Sequence, residues 1–430
     1  MTQQQDSFVR ATRSPCPVCR RDLPARIVQR DGDLYMLKSC PGHGDFDLFF
    51  WRDAAFYDKI ARIAAPANSG ALPAELCNRG DFRLMRGVCI DFTQRCNLFC
   101  TNCFANANTQ PAPDMSLQWH KDKIAAMRGP RKPVIFVQGG EPTLRPDLFE
   151  FLEFLNKKGF VAKLVTNGIK LDEPGFIERL KKTGLEWVFL QFDGFTPDAS
   201  VAFRGRDLIA LKLRVLKRLS DHGFKILLAC MLENGINSHE TGRILDLARA
   251  TPGVRQIGLL PGSRIGRNHM TGAIQASSAV DVMDWLDRDT RGAVTRNDFL
   301  AFHKIAARIY KLTRNPDFRP RTCFFFMMLY HDSRTLLPLN RLLDPVCAAR
   351  HPRAAAAALR YIKDLRSLDR AAADPNILFI TLEKFRGTDT LDIPDAESCV
   401  KVHLAPDGAY YPACIYNALH RPQDLNPGSC

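Results

Sequence analysis

Eight residues, Cys96-Asn97-Leu98-Phe99-Cys100-Thr101-Asn102-Cys103, set three cysteines in a C-x3-C-x2-C spacing. No other stretch narrows the possible folds as far. Three thiolates from one short loop suit an iron-sulfur cluster that takes four ligands, because the remaining iron is left open to bind something other than protein. A tetrahedral zinc site is the alternative. Zinc motifs usually pair two C-x2-C halves across a longer loop, and this triplet has no such partner nearby.

The rest of the composition is that of an ordinary globular chain. Its 430 residues, 46% hydrophobic and 25% charged, are enough for one large domain with smaller ones attached. The longest strongly apolar run, Cys323 to Tyr330, is far shorter than the ~20 residues of a membrane span, and the polar Met1 to Arg13 has no signal-peptide core. A cytoplasmic protein is expected. Fourteen cysteines, many in C-x2-C or C-x3-C spacing, then mean metal binding rather than disulfides. The net charge of +14 admits nucleic acid, an anionic membrane surface or an anionic small molecule as partner. No compact Lys/Arg block with interleaved aromatics is present, so nucleic acid is not expected, while a peripheral membrane contact stays open.

From about Ser14 to Trp51 the chain carries Cys16-Pro17-Val18-Cys19, a hairpin turn at Asp31-Gly32-Asp33, and Cys40-Pro41-Gly42-His43-Gly44. This reads as a metal knuckle in which Cys16, Cys19 and Cys40 bind zinc or a single iron. The fourth ligand would be His43 or a distant cysteine such as Cys77. A segment this small rarely folds without such a staple. Arg52 to Ala74 reads as a helix and a linker. Alternation then begins: strands at Gly87–Thr93, Pro133–Gly139, Val161–Thr166, Trp187–Asp193, Lys225–Leu232 and Gln256–Leu260. Helical patterns lie between them near Leu117–Met127, Pro146–Lys158, Pro174–Thr183, Asp207–His222 and Ser238–Ala250. The expected fold class is α/β, a partial (β/α)6 TIM-like barrel with its site at the carboxyl ends of the strands. The expected domains are 1–76 (metal knuckle and linker), 77–270 (barrel) and 271–430 (a C-terminal region bearing further cysteines).

Motifs fall at successive strand ends. The cysteine loop follows the first strand, Gly139-Gly140-Glu141-Pro142-Thr143 the second, and Val165-Thr166-Asn167-Gly168 the third. Paired glycines let backbone approach a ligand, and Glu141 offers an acceptor for an ammonium group. The fourth strand ends in Gln191-Phe192-Asp193-Gly194, whose alternation points Gln191 and Asp193 to one side. Arg204-Gly205-Arg206-Asp207-Leu208 follows. Val280–Leu286 and His303–Leu312 look helical, and Ala354–Arg370 is a basic amphipathic helix. Pro406-Asp407-Gly408 reads as a hairpin turn that brings Cys399 and Cys414 close. With Cys323 these make three thiolates for an auxiliary cluster, with Cys347 or Cys430 as a possible fourth. Cys230 and Cys347 are equally read as buried free cysteines.

The cysteine loop, GGEP and TNG in this order and register resemble the radical SAM superfamily. The resemblance implies that Cys96, Cys100 and Cys103 hold a 4Fe-4S cluster. S-adenosylmethionine would chelate its open iron, and reductive cleavage would give a 5'-deoxyadenosyl radical. It implies that Gly139, Gly140, Glu141 and Pro142 bind the methionine end, with Thr166 and Asn167 near the ribose; Gln191 and Asp193, on their alternation, point to the barrel mouth or the cofactor, unless Asp193-Gly194 only turns the chain. More narrowly, CPVC with CPGHG, LQFDGFTP with RGRDL, and PDG with ACIYN resemble a subfamily of tetraether lipid synthases and radical methylases of methanopterin-type pterins. By that likeness Cys16, Cys19 and Cys40 bind a mononuclear iron or zinc, and Cys323, Cys399 and Cys414 a second 4Fe-4S cluster in a SPASM-like region. The chain departs from the pattern at Asn102, where many members carry an aromatic, leaving adenine stacking to Phe99 or Phe104. It also departs in having only Cys77 and Cys89 before and within the first strand, and no further cysteines after Cys323 in Cys323-Phe324-Phe325-Phe326-Met327-Met328.

The resulting expectation is a radical SAM enzyme served by a reductant such as flavodoxin or ferredoxin. The basic charge and the Phe/Met stretch favour C–C bond formation or other modification of a lipid-like alkyl chain, with methylation of a pterin or another small molecule as the alternative. A non-catalytic zinc-ribbon protein that binds nucleic acid is the rival from another class, and it gives GGEP and TNG no role.

Overall fold

The computed structural model describes residues 6–65, 73–109, 113–129, 131–272, 276–362 and 374–421. The linker stretch 66–72, the end of the expected Ala354–Arg370 helix, and Cys430 lie outside these residues. The chain begins with an antiparallel sheet in simple order, β1 (Ser7–Pro15), β2 (Asp22–Arg30), β3 (Asp33–Cys40) and β4 (Gly44–Trp51). The expected hairpin is its centre: Asp31 and Gly32 both take positive φ (52° and 83°), as a two-residue turn between twisted strands requires. The inner face of this sheet, including Ile27, Leu34 and Met36, packs with the helix Ala54–Ala64 into the core shared with the barrel.

All six expected barrel strands are present: β5 (Gly87–Thr93), β6 (Val134–Gly139), β7 (Ala162–Thr166), β8 (Trp187–Gln191), β9 (Lys225–Leu232) and β10 (Val254–Pro261). They pair in parallel in chain order. Their near-continuous apolar sequences follow from burial on both faces. Ile135, Val137, Leu164 and Val188 face the helices, whereas Cys89, Phe136, Val165 and Phe189 meet inside. One intervening helix, Pro197–Arg204, is absent from the sequence reading; it occupies the stretch that begins as a turn at Asp193-Gly194.

The sheet does not stop at six strands. After β11 (Phe324–His331) and β12 (Leu336–Pro338) come β13 (Ile377–Glu383), parallel to β10, and β14 (Lys401–Leu404), parallel to β5, followed by β15 (Tyr410–Pro412). The parallel array is therefore eight strands wide, and β11–β12 and β15 extend its edges in antiparallel fashion. The Lys401 ammonium, 3.1 Å from the Glu383 carboxylate, joins the two ends of the parallel array, β14 to β13. The predicted PDG hairpin is the β14–β15 turn, with Gly408 at φ 84°.

The Phe/Met stretch is β11 itself. Phe325, Met327 and Leu329 are 0–1% exposed, and the strand lies against β13 and the helix Arg296–Thr313, where Phe302 meets Phe326. Core packing accounts for its greasiness. Among the described residues no helix is long and apolar enough to cross a membrane.

Candidate active site and metal centres

β5 delivers the chain to the barrel mouth, where residues 94–108 form the loop carrying Cys96, Cys100 and Cys103. Two side chains fix its path, one from the end of the loop itself and one from far along the chain. Asn108, held at φ 69°, accepts the Cys96 amide (2.8 Å) and donates to the carbonyls of Cys96 (2.9 Å) and Leu98 (3.1 Å). Arg267 donates to the Cys100 carbonyl (2.5 Å) and to that of Ala107, and its own amide donates to the Cys103 carbonyl (2.9 Å). Gly266 precedes it at φ 56°, with room for no side chain: a Cβ there would lie 2.3 Å from the Cys103 carbonyl oxygen. Burial pushes the Cys96 thiol up to about 12, with Glu141, Cys100 and Cys103 adding to it, and burial and Cys100 likewise raise Cys103. Thiols that resist ionising together become thiolates when a cationic centre binds them all, so this donor set fits a metal cluster.

The GGEP turn packs directly on that loop. A Cβ at Gly139 (φ 126°) would stand 2.3 Å from the Thr93 carbonyl oxygen, and one at Gly140 2.2 Å from that of Arg95. Both glycines are therefore required for the second strand end to seat against the first. The Glu141 carboxylate, offered by the sequence as an acceptor for an ammonium group, is engaged by this chain's own donors. It accepts from the Thr143 amide (3.2 Å) and hydroxyl (2.6 Å), the Thr166 hydroxyl (2.7 Å) and the Asn167 amide (2.7 Å). Pro142 starts the buried turn Pro142–Leu144. Asn167 reaches the cysteine loop, donating to Asn97 Oδ1 (2.7 Å) with its Nδ2 3.9 Å from the Cys96 sulfur.

Gln191 and Asp193 do point together and are hydrogen-bonded to each other. Asp193 also takes a two-point ion pair from Arg204 (2.7 and 2.8 Å), whose third nitrogen donates to Asn102 (3.0 Å). Asn102, the departure from the usual aromatic, thus ties the cysteine loop to β8. Lys212 donates to the Gln191 carbonyl (2.8 Å) and amide oxygen (2.6 Å) and to the Asn167 carbonyl; burial, with Arg204 nearby, brings its amine down to about 7. Of the two aromatics expected to stack on adenine, Phe99 is 59% exposed beneath the Arg267 guanidinium at 3.5 Å, and Phe104 is stacked on Phe385. Asn108, Arg267 and Lys212 carry no motif that sequence reading recognises. Arg204 lay in the RGRDL stretch, which was the available signal.

Below the loop, the barrel interior is polar. Asp91 on β5 pairs with His403 of β14 (3.2 Å) and with Arg421, and Gln138 of β6 lies 3.5 Å from the same histidine. Burial alone would raise the Asp91 carboxyl, but the Arg421 guanidinium and the contact with His403 hold it far below the usual range.

The knuckle closes on four ligands. The ligand atoms of Cys16, Cys19, Cys40 and His43 all lie within 4.8 Å of one another, with Cys40 Sγ 3.4 Å from His43 Nδ1 and 3.8 Å from Cys19 Sγ. His43, the Gly42 amide and the Cys16 and Cys19 thiols bring the Cys40 thiol down to about 6, so the set suits a tetrahedral cation. Cys77 is elsewhere, buried in the helix Pro73–Asn78 beside Asp81 and Tyr410. At the far end, burial pushes the Cys414 thiol up to about 12, and Cys399 and Cys323 add to it as charge neighbours. Cys347 is in the helix Pro345–Arg350 with Arg341 as a charge neighbour, and Cys230 is buried within β9. Every described cysteine is unbridged.

Two stretches of the sequence match protein families: residues 90–248 match the radical SAM superfamily and residues 8–52 the HMPTM N-terminal zinc ribbon domain. The chain is 28% identical to 7,8-dihydro-6-hydroxymethylpterin dimethyltransferase of Methanocaldococcus jannaschii, over 95% of this chain and 94% of that protein. It is 33% identical to Fe-coproporphyrin III synthase of Methanosarcina barkeri, over 36% of this chain and 39% of that protein. Among solved structures, Streptococcus suis SuiB bound to S-adenosylmethionine is similar over 61% of this chain and 70% of that one, with a TM-score of 0.40 and 13% identity.

Proposed function

This chain belongs to the radical SAM superfamily and is an enzyme of it, and from that premise we propose that it methylates a pterin or a closely similar nitrogen heterocycle. The observation that carries the proposal is the likeness to the pterin dimethyltransferase along 95% of the chain, because it spans the knuckle, the barrel and the C-terminal strands together. The barrel interior agrees with it. Asp91, Gln138 and His403 are buried hydrogen-bonding groups that make this part of the interior polar, better suited to the polar edge of a flat ring than to an alkyl chain. The lipid-chain reading, which the sequence put first, loses the Phe/Met stretch, one of the two features on which it rested.

In this reading Cys96, Cys100 and Cys103 hold the 4Fe-4S cluster, and the GGEP turn, Thr166, Asn167, Gln191 and Asp193 form the wall of the S-adenosylmethionine site. When bound, these cofactors supply a 5'-deoxyadenosyl radical able to remove hydrogen from carbon. The chain's own part is to hold that geometry. Glu141 locks two strand ends together, Arg267 and Asn108 fix the loop, and Arg204 couples it to Asp193. Cys16, Cys19, Cys40 and His43 take zinc or a single iron, and Cys323, Cys399 and Cys414 an auxiliary 4Fe-4S cluster. A flavodoxin- or ferredoxin-type reductant supplies electrons. Residues 1–76, 77–270 and 271–430 are the corresponding units.

The test offers the anaerobic, reconstituted enzyme a dihydropterin bearing a 6-hydroxymethyl group and, separately, a lipid extract. A pterin heavier by one or two methyl groups, formed only with S-adenosylmethionine and reductant, is the expected result. Coupled or otherwise altered lipid chains with an unchanged pterin would reverse the choice.

A further inference from the structure

Three buried arginines surround the C-terminal cysteines. Arg319 and Arg321 come just before Cys323, and Arg386 just after β13; they are 6%, 4% and 7% exposed. The Nε of each has no hydrogen-bond partner among the described residues, and neither has Nη1 of Arg321. The bonds that these side chains do make leave those donors free: Arg321 donates to the Asp395 carbonyl (3.0 Å), and Arg386 to Thr322 (2.5 Å) and the Asp395 carboxylate. The thiols of Cys399, Cys323 and Cys414 are the charge neighbours of Arg321; Cys399 also faces Arg319, together with Tyr310, and Arg386 faces Cys414. Burying a guanidinium with idle donors is costly. Neutral thiols do little to offset that cost, whereas an anionic thiolate-bound centre offsets it directly.

We propose that Arg319, Arg321 and Arg386 form a cationic cradle that retains the auxiliary cluster at Cys323, Cys399 and Cys414 and raises its reduction potential. This rests on the reading of those cysteines as an iron-sulfur site. A reduced cluster carries one more negative charge than an oxidised one. Fixed positive charge beside it therefore favours reduction, and hydrogen bonds to the sulfurs act in the same direction.

The experiment uses full-length protein in which Cys96, Cys100 and Cys103 are all replaced by alanine, so that any remaining sulfide belongs to the C-terminal site. Iron, sulfide and an EPR-monitored redox titration are measured before and after Arg321→Met and Arg321→Lys. The cradle predicts sulfide in the parent, a midpoint potential shifted negative by Arg321→Met, and recovery with Arg321→Lys, which keeps the charge. If Arg321→Met loses the cluster altogether, retention with Arg321→Lys supports the cradle, and loss with both overturns it in favour of a role in shape alone. An unmoved potential with the cluster retained overturns the inference and leaves the auxiliary site standing. No sulfide in the parent removes the auxiliary site and the cradle together.

Discussion

At Glu141 a fully buried carboxylate gathers four donors from two strand ends. Glu141→Gln puts an NH2 where one oxygen accepted, leaving donors facing a donor. It is expected to cost about 3 kcal/mol of stability and to weaken S-adenosylmethionine binding, read by thermal unfolding and by calorimetric titration. Glu233, just past β9, is 2% exposed, with Oε2 unpartnered among the described residues. Burial raises its carboxyl from 4.5 to about 7. The folded state then holds a proton that the unfolded state has released, so between those values stability falls as pH rises. Glu233→Gln should flatten that decline and stabilise the protein at pH 8 by at most roughly 3 kcal/mol; a variant with an unchanged pH profile would refute the assignment. At the knuckle, His43→Ala should leave three thiolates and an open position, so metal content per chain after dialysis should fall while sulfide stays constant.

Among the elements, the strand ends were legible because each carries a local motif. The cysteine loop, GGEP and TNG each follow a strand whose apolar run gives it away. What holds them together was not legible. Asn108, Arg204, Lys212 and Arg267 act through contacts with residues 10 to 167 positions away, and apart from the RGRDL stretch at Arg204 nothing in their own neighbourhoods marks them. The same reason hid β13 and the place of β14 in the barrel, although its hairpin with β15 was legible. Each reads as a short apolar run, and only pairing with β10 and β5, far away in the chain, makes them barrel strands. The knuckle showed its ligand triplet and its central hairpin but not its outer strands, since β1 and β4 are largely exposed and weakly patterned. Gly140→Ala tests the seating of the first two strand ends. With a Cβ 2.2 Å from the Arg95 carbonyl oxygen, the cysteine loop must shift. Iron and sulfide incorporation after reconstitution should drop, whereas Gly32→Ala, where a Cβ meets nothing within 4 Å, should leave it intact.

Across the whole molecule, the knuckle is docked onto the supports of the cysteine loop. His269 donates to the Pro17 carbonyl (3.1 Å) between two knuckle cysteines, two residues beyond the Arg267 that holds Cys100. Arg20 donates to the Ala418 carbonyl (2.8 Å), three residues before the Arg421 that pairs with Asp91. Removing the knuckle metal with a chelator should therefore speed amide hydrogen exchange in residues 96–108 and 262–269 as well as in the knuckle itself; exchange confined to 8–52 would mean that the knuckle only stabilises itself. Anaerobic, reconstituted protein given S-adenosylmethionine, a strong reductant and the dihydropterin should release 5'-deoxyadenosine, measured by mass spectrometry, and Cys100→Ala should abolish it. Zinc at the cysteine loop, no sulfide and no 5'-deoxyadenosine under those conditions would contradict the account.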